Sequence, residues 1–218
     1  MSLLLLLSGS SGGAPTPSDP PAIASNTTSL GSGPVNKPSG TATGDLLLIQ
    51  VRDYLNQTLT APSGFTSVIA FTNDIRHMIF YRVADGTEGV SFTVGGASGL
   101  TEIACTRITG ASTVSPINAS ARTAESMVGP SITSTVDNCL ILSFNAKGKS
   151  GGITKPASMT TQYTLQYYYD DGESVYEMWQ GLAYETQATA GATGTKTWTT
   201  GNPGDIRYST YTIAIAPV

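Results

Sequence analysis

The 218-residue sequence is poor in the residues that build catalytic and metal sites: it has one histidine, two cysteines and only 12% charged residues. His77, Cys105 and Cys139 cannot supply the full set of His and Cys ligands of a zinc site within one chain. The 11 Lys and Arg residues are spread along the chain and the formal net charge is -4, so no clustered basic surface for phosphates is expected. We therefore expect no catalytic residue, no metal, no cofactor and no nucleic-acid partner.

Long apolar runs are also missing. The run Leu3–Leu7 is far shorter than the roughly 20 residues with which a helix crosses a bilayer. No Lys or Arg precedes this run, as a secretory signal peptide would require. We expect no membrane partner.

What the chain does have is a succession of short β-branched or aromatic runs separated by Gly, Pro, Asn and Asp, which is typical of antiparallel β-structure. No segment shows the 3.6-residue apolar period of a helix. The predicted strands are Leu46–Val51, Ile75–Val83, Val90–Val94, Thr101–Ile108, Leu140–Phe144, Tyr163–Tyr169, Val175–Glu185, Thr195–Thr200 and Tyr208–Ile215. With weaker segments they give roughly eight to ten strands, which predicts an all-β, jelly-roll-like antiparallel sandwich of two sheets.

The two halves of this β-rich region share landmarks at a spacing of about 100 residues, which indicates an internal duplication. Pro38-Ser39 and Pro130-Ser131 each precede an apolar run, and Ala61–Thr66 matches Lys155–Thr160. No Pro/Gly-rich linker divides the halves. We therefore predict one sandwich domain over 44–218, in which pseudo-repeats at about 38–110 and 130–218 interdigitate.

Residues 1–43 are rich in Gly, Ser, Pro and Thr, and such a segment buries too little apolar area to fold alone. We interpret them as an extended arm with an apolar tip at Leu3–Leu7. Leucines left in water promote association, so the tip is expected to lie against protein. It either forms an edge strand on its own sandwich or docks on a neighbouring subunit.

Three motifs resemble catalytic or binding elements but have simpler structural interpretations. His77 alternates with Ile79 and Tyr81, which favours a packed, hydrogen-bonded side chain, and no Gly-x-Ser-x-Gly elbow accompanies it. Residues 146–152 contain Gly-Lys-Ser, but the following glycines prevent the helix that a phosphate-binding loop requires, so a basic surface loop is predicted. Asp170–Glu173 holds three carboxylates, yet its glycine favours a hairpin connection over a calcium site.

Aromatic residues concentrate in the second half of the chain. The candidates for an interface or a glycan site are Tyr167, Tyr168, Tyr169, Tyr176 and Trp179. Alternation places Tyr167 and Tyr169 on one face of a strand and Tyr168 on the other, so at least one face is available to solvent or a partner. Exposed Tyr and Trp serve as sugar platforms or as protein hot spots, whereas buried ones are ordinary core. The sequence leaves these alternatives open.

Several strand-and-turn segments resemble β-rich structural proteins of tailed bacteriophages and prophages. These segments are Gly44–Leu48, Ala61–Phe65, Phe80–Gly86, Ala190–Gly194 and Ile213–Pro217. The leucine-rich start followed by a Gly/Ser/Pro arm is similar to phage virion proteins. The resemblance carries no catalytic residues and implies a non-enzymatic virion protein, located in particles that assemble in the bacterial cytoplasm.

The arm, the low charge and the predicted sandwich favour a capsid decoration or cement protein. We expect a homo-oligomer anchored to other virion subunits through Leu3–Leu7, since closed symmetric assemblies are common and an apolar strand can add to a neighbour. Burial of five leucines would contribute roughly 5 to 10 kcal/mol before ordering costs. The alternatives are a neck, collar, tail or fibre component, and a carbohydrate-binding or adhesion module built on the aromatic residues.

Overall fold

The computed structural model of the chain describes residues 18–55, 57–69, 76–148, 150–170, 175–202 and 207–218. Within these ranges every regular element is a β-strand, and all strand pairs are antiparallel. The all-β antiparallel sandwich predicted from the sequence is confirmed. No helix in the described ranges has the length and apolarity needed to cross a bilayer.

The first half of the chain forms one five-stranded sheet. Its strands in chain order are β1 (Ala22–Leu30), β2 (Val35–Asn36), β3 (Leu46–Asp53), β4 (Thr66–Ile69), β5 (Arg76–Val83), β6 (Ser91–Phe92) and β7 (Thr101–Thr109). The hydrogen-bonded order is β1-β7-β3-β5-β4, and β2 pairs with β6 as a separate two-stranded sheet.

The second half forms the other five-stranded sheet. Its strands are β8 (Ile117–Ala124), β9 (Val128–Gly129), β10 (Thr133–Ser134), β11 (Cys139–Gly148), β12 (Thr160–Asp170), β13 (Val175–Gln187), β14 (Gly191–Ala192), β15 (Lys196–Thr197) and β16 (Tyr208–Ile215). The order is β8-β16-β11-β13-β12, and the short strands pair as β10-β14 and β9-β15.

The two sheets have the same topology, with β1, β3, β4, β5 and β7 corresponding to β8, β11, β12, β13 and β16. The matching landmarks adopt the same turn: the Phe65 N–H donates to the Pro62 carbonyl, and the Met159 N–H donates to the Pro156 carbonyl, both at 3.0 Å. The halves do not interdigitate, however, because each sheet is built entirely from one half. Antiparallel strands need only short connections, so each half completes its own sheet before the chain crosses over.

The main core lies between the sheets. Alternate residues of the central strands face it, including Leu46 and Leu48 of β3 and Leu142 and Phe144 of β11. Both halves therefore contribute to one core.

Each sheet also has an apolar layer on its outer face. Leu47 and Ile49 of β3 pack outward against residues that include Phe65 and Phe92, while Ile141 of β11 packs outward with Trp198. Because both faces are covered, β3 and β11 are buried along their whole length. This explains why their sequences read as continuous apolar runs instead of alternating ones.

The strand β1 lies within the segment interpreted as an arm. It pairs with β7 from Ala22↔Thr109 to Leu30↔Glu102, so the sandwich extends to residue 22 and does not begin at residue 44. The sequence Ala22–Leu30 is rich in Ser, Thr and Asn, and its burial comes from one neighbouring strand. The apolar tip Leu3–Leu7 lies outside the described residues.

Candidate functional site

The predicted aromatic residues lie on the hairpin of β12 and β13 at one end of the sandwich. The alternation is confirmed: Tyr167 and Tyr169 share the inner face with Tyr163, which lies in the main core, and Tyr168 is on the outer face with 61% of its surface exposed. The Tyr167 hydroxyl donates to the Gly99 carbonyl at 3.0 Å, which ties the hairpin to the first sheet. The backbone of Tyr176 pairs with Tyr169, but its side chain lies outside the described part of the chain.

The outer face of this hairpin carries a small polar network that we call the aromatic surface: Gln166, Tyr168, Glu177 and Trp179. The Gln166 Nε2 and the Trp179 Nε1 both donate to Glu177 Oε1 at 2.8 Å. Tyr168 lies directly across from Glu177 in the antiparallel register. An exposed ring beside a carboxylate, an amide and an indole N–H can contact apolar and hydroxyl groups of a ligand. Sequence reasoning missed Gln166 and Glu177, since their contribution depends on the register of two strands.

The arm joins the sandwich at the opposite end. The Asn138 Nδ2 donates to the Ser18 carbonyl at 2.9 Å, and Pro21 is buried. A pocket of about 590 Å³ lies beside this point and is lined by Ser18, Ser112, Ser115, Asn118, Val136, Asp137, Asn138, Ala216, Pro217 and Val218. The Val218 N–H donates to the Gly110 carbonyl at 3.1 Å, so both ends of the described chain lie close together here.

His77 is buried between the sheets, as the packed, hydrogen-bonded interpretation predicted. Its Nε2 lies 2.9 Å from the Gln50 Nε2, and its ring meets the Tyr211 ring edge to face at 4.8 Å. Burial lowers the pKa of His77 to about 3, with Arg52 and Arg122 also disfavouring the charged form and a backbone hydrogen bond to Ser209 opposing them. The imidazole is therefore neutral at physiological pH and has no access to a substrate.

His77 belongs to a buried polar row that the sequence analysis did not identify. His77, Arg52 and Glu102 lie directly across from one another on β5, β3 and β7, all on the inner face. Arg52 Nη1 lies 3.1 Å from Glu102 Oε2, and both side chains are fully buried. Burial outweighs the attraction of Arg52 and raises the pKa of Glu102 to about 7. The available signal was the alternation of Leu46, Leu48, Gln50 and Arg52 in β3, which places a charge on the core face.

Hydrogen bonds from this polar region link the two sheets. The Tyr163 hydroxyl donates to Gln50 Oε1 at 2.7 Å, the Gln50 Nε2 donates to the Asn145 carbonyl at 3.2 Å, and the Tyr211 hydroxyl donates to the His77 carbonyl at 2.6 Å. Burial raises the pKa of both tyrosines above the usual value. The region therefore fixes the relative position of the sheets.

The remaining motifs have structural roles. Asp170 pairs with Val175, which confirms the predicted hairpin connection. The basic surface loop predicted for residues 146–152 is wrong in part, because β11 continues to Gly148 and buries Lys147, whose Nζ donates to the Ser150 carbonyl.

The two cysteines are free and buried in opposite outer layers, Cys105 behind the first sheet and Cys139 behind the second. Burial raises the pKa of the Cys105 thiol to about 12 and raises that of the Cys139 thiol as well. Both thiols are therefore protonated at neutral pH and behave as small apolar side chains.

In the described part of the chain, no group of three or more His, Cys, Asp and Glu residues is arranged to hold a metal ion. Comparison with known proteins leaves the assignment of function to the geometry: no family model matches the chain, and no curated protein or solved structure shows significant similarity to it.

Proposed function

We propose that the chain is a non-enzymatic structural protein of a bacteriophage virion, a capsid decoration or cement protein that attaches to neighbouring subunits through its N-terminal arm. The phage assignment rests on the strand-and-turn resemblance of the sequence. The attachment mechanism rests on the arm and on the way it joins the sandwich.

The observation that carries the proposal is the position of the arm root. Ser18 is held at one end of the sandwich by Asn138, and the strand that follows is built into the first sheet from Ala22 onward. The residues before Ser18 therefore project from a fixed point on a well-packed body. An apolar segment tethered in this way can bind a neighbour with backbone hydrogen bonds and leucine burial, while the sandwich itself remains unchanged.

The interior of the sandwich supports a supporting role over a chemical one. Its histidine is neutral and inaccessible, and its polar side chains link the two sheets to each other. Such a polar core contributes to a single, specific arrangement of the sheets, which a repeated particle component requires.

Incorporation into particles tests the proposal. Replacing Leu3–Leu7 by five serines keeps the length of the arm and should reduce incorporation at least tenfold. A matched control replaces the exposed Val90 and Val114 by serine and should be incorporated normally. Normal incorporation of the five-serine variant would contradict arm anchoring. A neck, collar, tail or fibre component, the alternative within this class, would be present at only a few copies per particle.

The aromatic surface favours a second candidate, a carbohydrate-binding or adhesion module. Tyr168 is largely exposed and lies beside Glu177, which accepts hydrogen bonds from Gln166 and Trp179. A sugar could stack on the ring and bond to the polar groups. Binding of a glycan array that Tyr168→Ala abolishes, with unchanged particle incorporation, would favour this function. An array without any bound glycan would exclude it.

A further inference from the structure

We infer that the leucine tip of a neighbouring copy, Leu3–Leu7, adds as an extra strand to the free edge of β12. This deepens the proposed function, on which it rests, by naming the acceptor surface for the arm. The acceptor is the segment Tyr163–Asp170, which we call the β12 edge.

The β12 edge is the least protected of the four outer strands of the two large sheets. β12 is 11 residues long and pairs only with β13. Its residues Thr160–Tyr169 include no charged residue and no proline. Its only irregularity lies between Thr161 and Tyr163, before the segment concerned. Long, uncharged and regular edges are those that accept another strand.

The other three edges are short, bulged or covered. β4 has four residues and a bulge. β1 is bulged after Ile23, and its Ser25 hydroxyl donates to the Ser39 carbonyl at 3.2 Å, so the following segment lies against it. On β8, the Asn118 side chain bonds both the N–H and the hydroxyl of Thr135 at 2.8 Å. Only β12 has a long edge to which no backbone hydrogen bond is made within the described residues.

The side chains flanking the β12 edge are apolar on both faces. On the inner face, Tyr169 is 39% exposed and Leu30, at the end of β1, is 52% exposed. On the outer face, Tyr168 and Val175 are each 61% exposed. The carbonyl of Gly99 connects the two sheets at this corner, since it accepts from the Tyr167 hydroxyl and lies 3.7 Å from a Cβ built on Gly31.

The leucine tip matches this surface because it is apolar at every position. In an added strand, Leu3, Leu5 and Leu7 would point to one face and Leu4 and Leu6 to the other. An ordinary amphipathic strand would leave one of the two apolar faces in water. A run of five leucines covers both faces, which explains why the tip is not an alternating sequence.

Mixing two variants tests this inference. The edge variant, Thr164→Lys with Tyr168→Lys, places charges on exposed positions of β12 and keeps the tip. The tip variant, Leu4→Asp with Leu6→Asp, keeps the edge. The control, Val90→Lys with Val114→Lys, adds the same charge at exposed positions elsewhere.

We expect the wild-type chain and the control to self-associate with rising concentration in light scattering, and each test variant alone to be monomeric. An equimolar mixture of the two test variants should form a one-to-one complex, because one supplies the tip and the other the edge. Absence of a complex, or self-association of the edge variant at the wild-type level, would overturn the inference.

Amide exchange locates the contact independently of the variants. In the mixed complex, exchange over Tyr163–Asp170 of the tip variant should slow at least tenfold, and unchanged rates there would overturn the inference. Equal protection in a monomeric wild-type chain would place the tip on its own edge and overturn the docking on a neighbour.

Failure of this inference can be distinguished from failure of the proposed function. If the tip variant is excluded from particles while the edge variant is incorporated normally, the arm binds another virion protein, and only the inference falls. If both variants are incorporated normally, the anchoring function falls.

Discussion

Arg52 and Glu102 face each other across β3 and β7 with their charged groups 3.1 Å apart and both side chains fully buried between the sheets. A pair of this kind is costly to bury and costly to break, because removal of one partner leaves the other without its counter-charge. The pair stands at the centre of the polar row that ends at His77. Several properties of the protein should therefore depend on it.

Removal of one member of the pair should destabilise the protein strongly. We expect Glu102→Ala to lower the free energy of unfolding by about 3 to 5 kcal/mol, since Arg52 is left buried without its carboxylate. The double variant Arg52→Met with Glu102→Leu should recover most of that loss, because no charge is left in the core. Urea denaturation measures both. A loss below about 1 kcal/mol for Glu102→Ala would contradict the buried pair.

His77 should make stability depend on pH in the acid range. Its pKa is about 3 in the folded chain against 6.5 ordinarily, so the unfolded chain binds a proton between these values that the folded chain does not. The contribution of His77 is thus fully present above pH 6.5 and is lost as the pH falls. The stability of wild type relative to His77→Gln should fall by up to about 1.4 kcal/mol per pH unit between pH 6 and pH 4. A constant difference would contradict it.

Glu102 should act with the opposite sign. Its pKa is about 7 in the folded chain against 4.5 ordinarily, so the folded chain holds a proton that the unfolded chain releases between these values. Its contribution is fully present below pH 4.5 and is lost as the pH rises to 7. The stability of wild type relative to Glu102→Gln should therefore decrease from pH 5 to pH 7 in the same denaturation series. An increase over this range would show that the carboxylate is ionised in the core.

Much of the fold follows from the sequence, because strand signals are local. The predicted strands over Leu46–Val51, Thr101–Ile108 and Tyr208–Ile215 agree with β3, β7 and β16 to within two residues. The duplication was visible in the matched Pro-containing turns before Phe65 and Met159. What local signals do not specify is the partner of each strand, so interdigitating halves were expected where each half forms its own sheet.

The missed strands and site residues have a common physical reason. Ala22–Leu30 and Ile117–Ala124 have few large apolar residues, and their strand conformation comes from pairing with β7 and β16. Glu102 was likewise hidden, since its significance depends on Arg52, fifty residues earlier in the chain. Alternation did predict the faces of Tyr167 and Tyr168, because it is a property of one strand.

Trp198 should be a principal stabilising residue of the outer layer behind the second sheet. It is almost fully buried, and its Nε1 donates to the Ser143 hydroxyl at 2.9 Å. We expect Trp198→Ala to cost about 3 to 5 kcal/mol. The control, Trp179→Phe, should cost about 1 kcal/mol or less, since Trp179 is half-buried on the aromatic surface. These are the only two tryptophans, so the fluorescence of Trp179→Phe reports Trp198 alone and should be blue-shifted relative to Trp198→Phe.

The shared core predicts cooperative unfolding of the two halves. Leu48 of the first sheet and Leu142 of the second lie in the same cluster, so separation of the halves would expose the inner face of each. We expect a single calorimetric transition whose van't Hoff and calorimetric enthalpies agree. Fragments 18–112 and 113–218 should each be unfolded in isolation. Two transitions, or a folded fragment, would show that the halves are independent.

The most direct test of the central claim is the number of copies of this chain per purified native particle, measured by quantitative mass spectrometry against the major shell protein. The proposed decoration role predicts a ratio of the order of one, and the ratio should collapse when Leu3–Leu7 is replaced by serines. A few copies per particle would place the chain at the neck, tail or fibre. Absence from particles would contradict a virion role altogether.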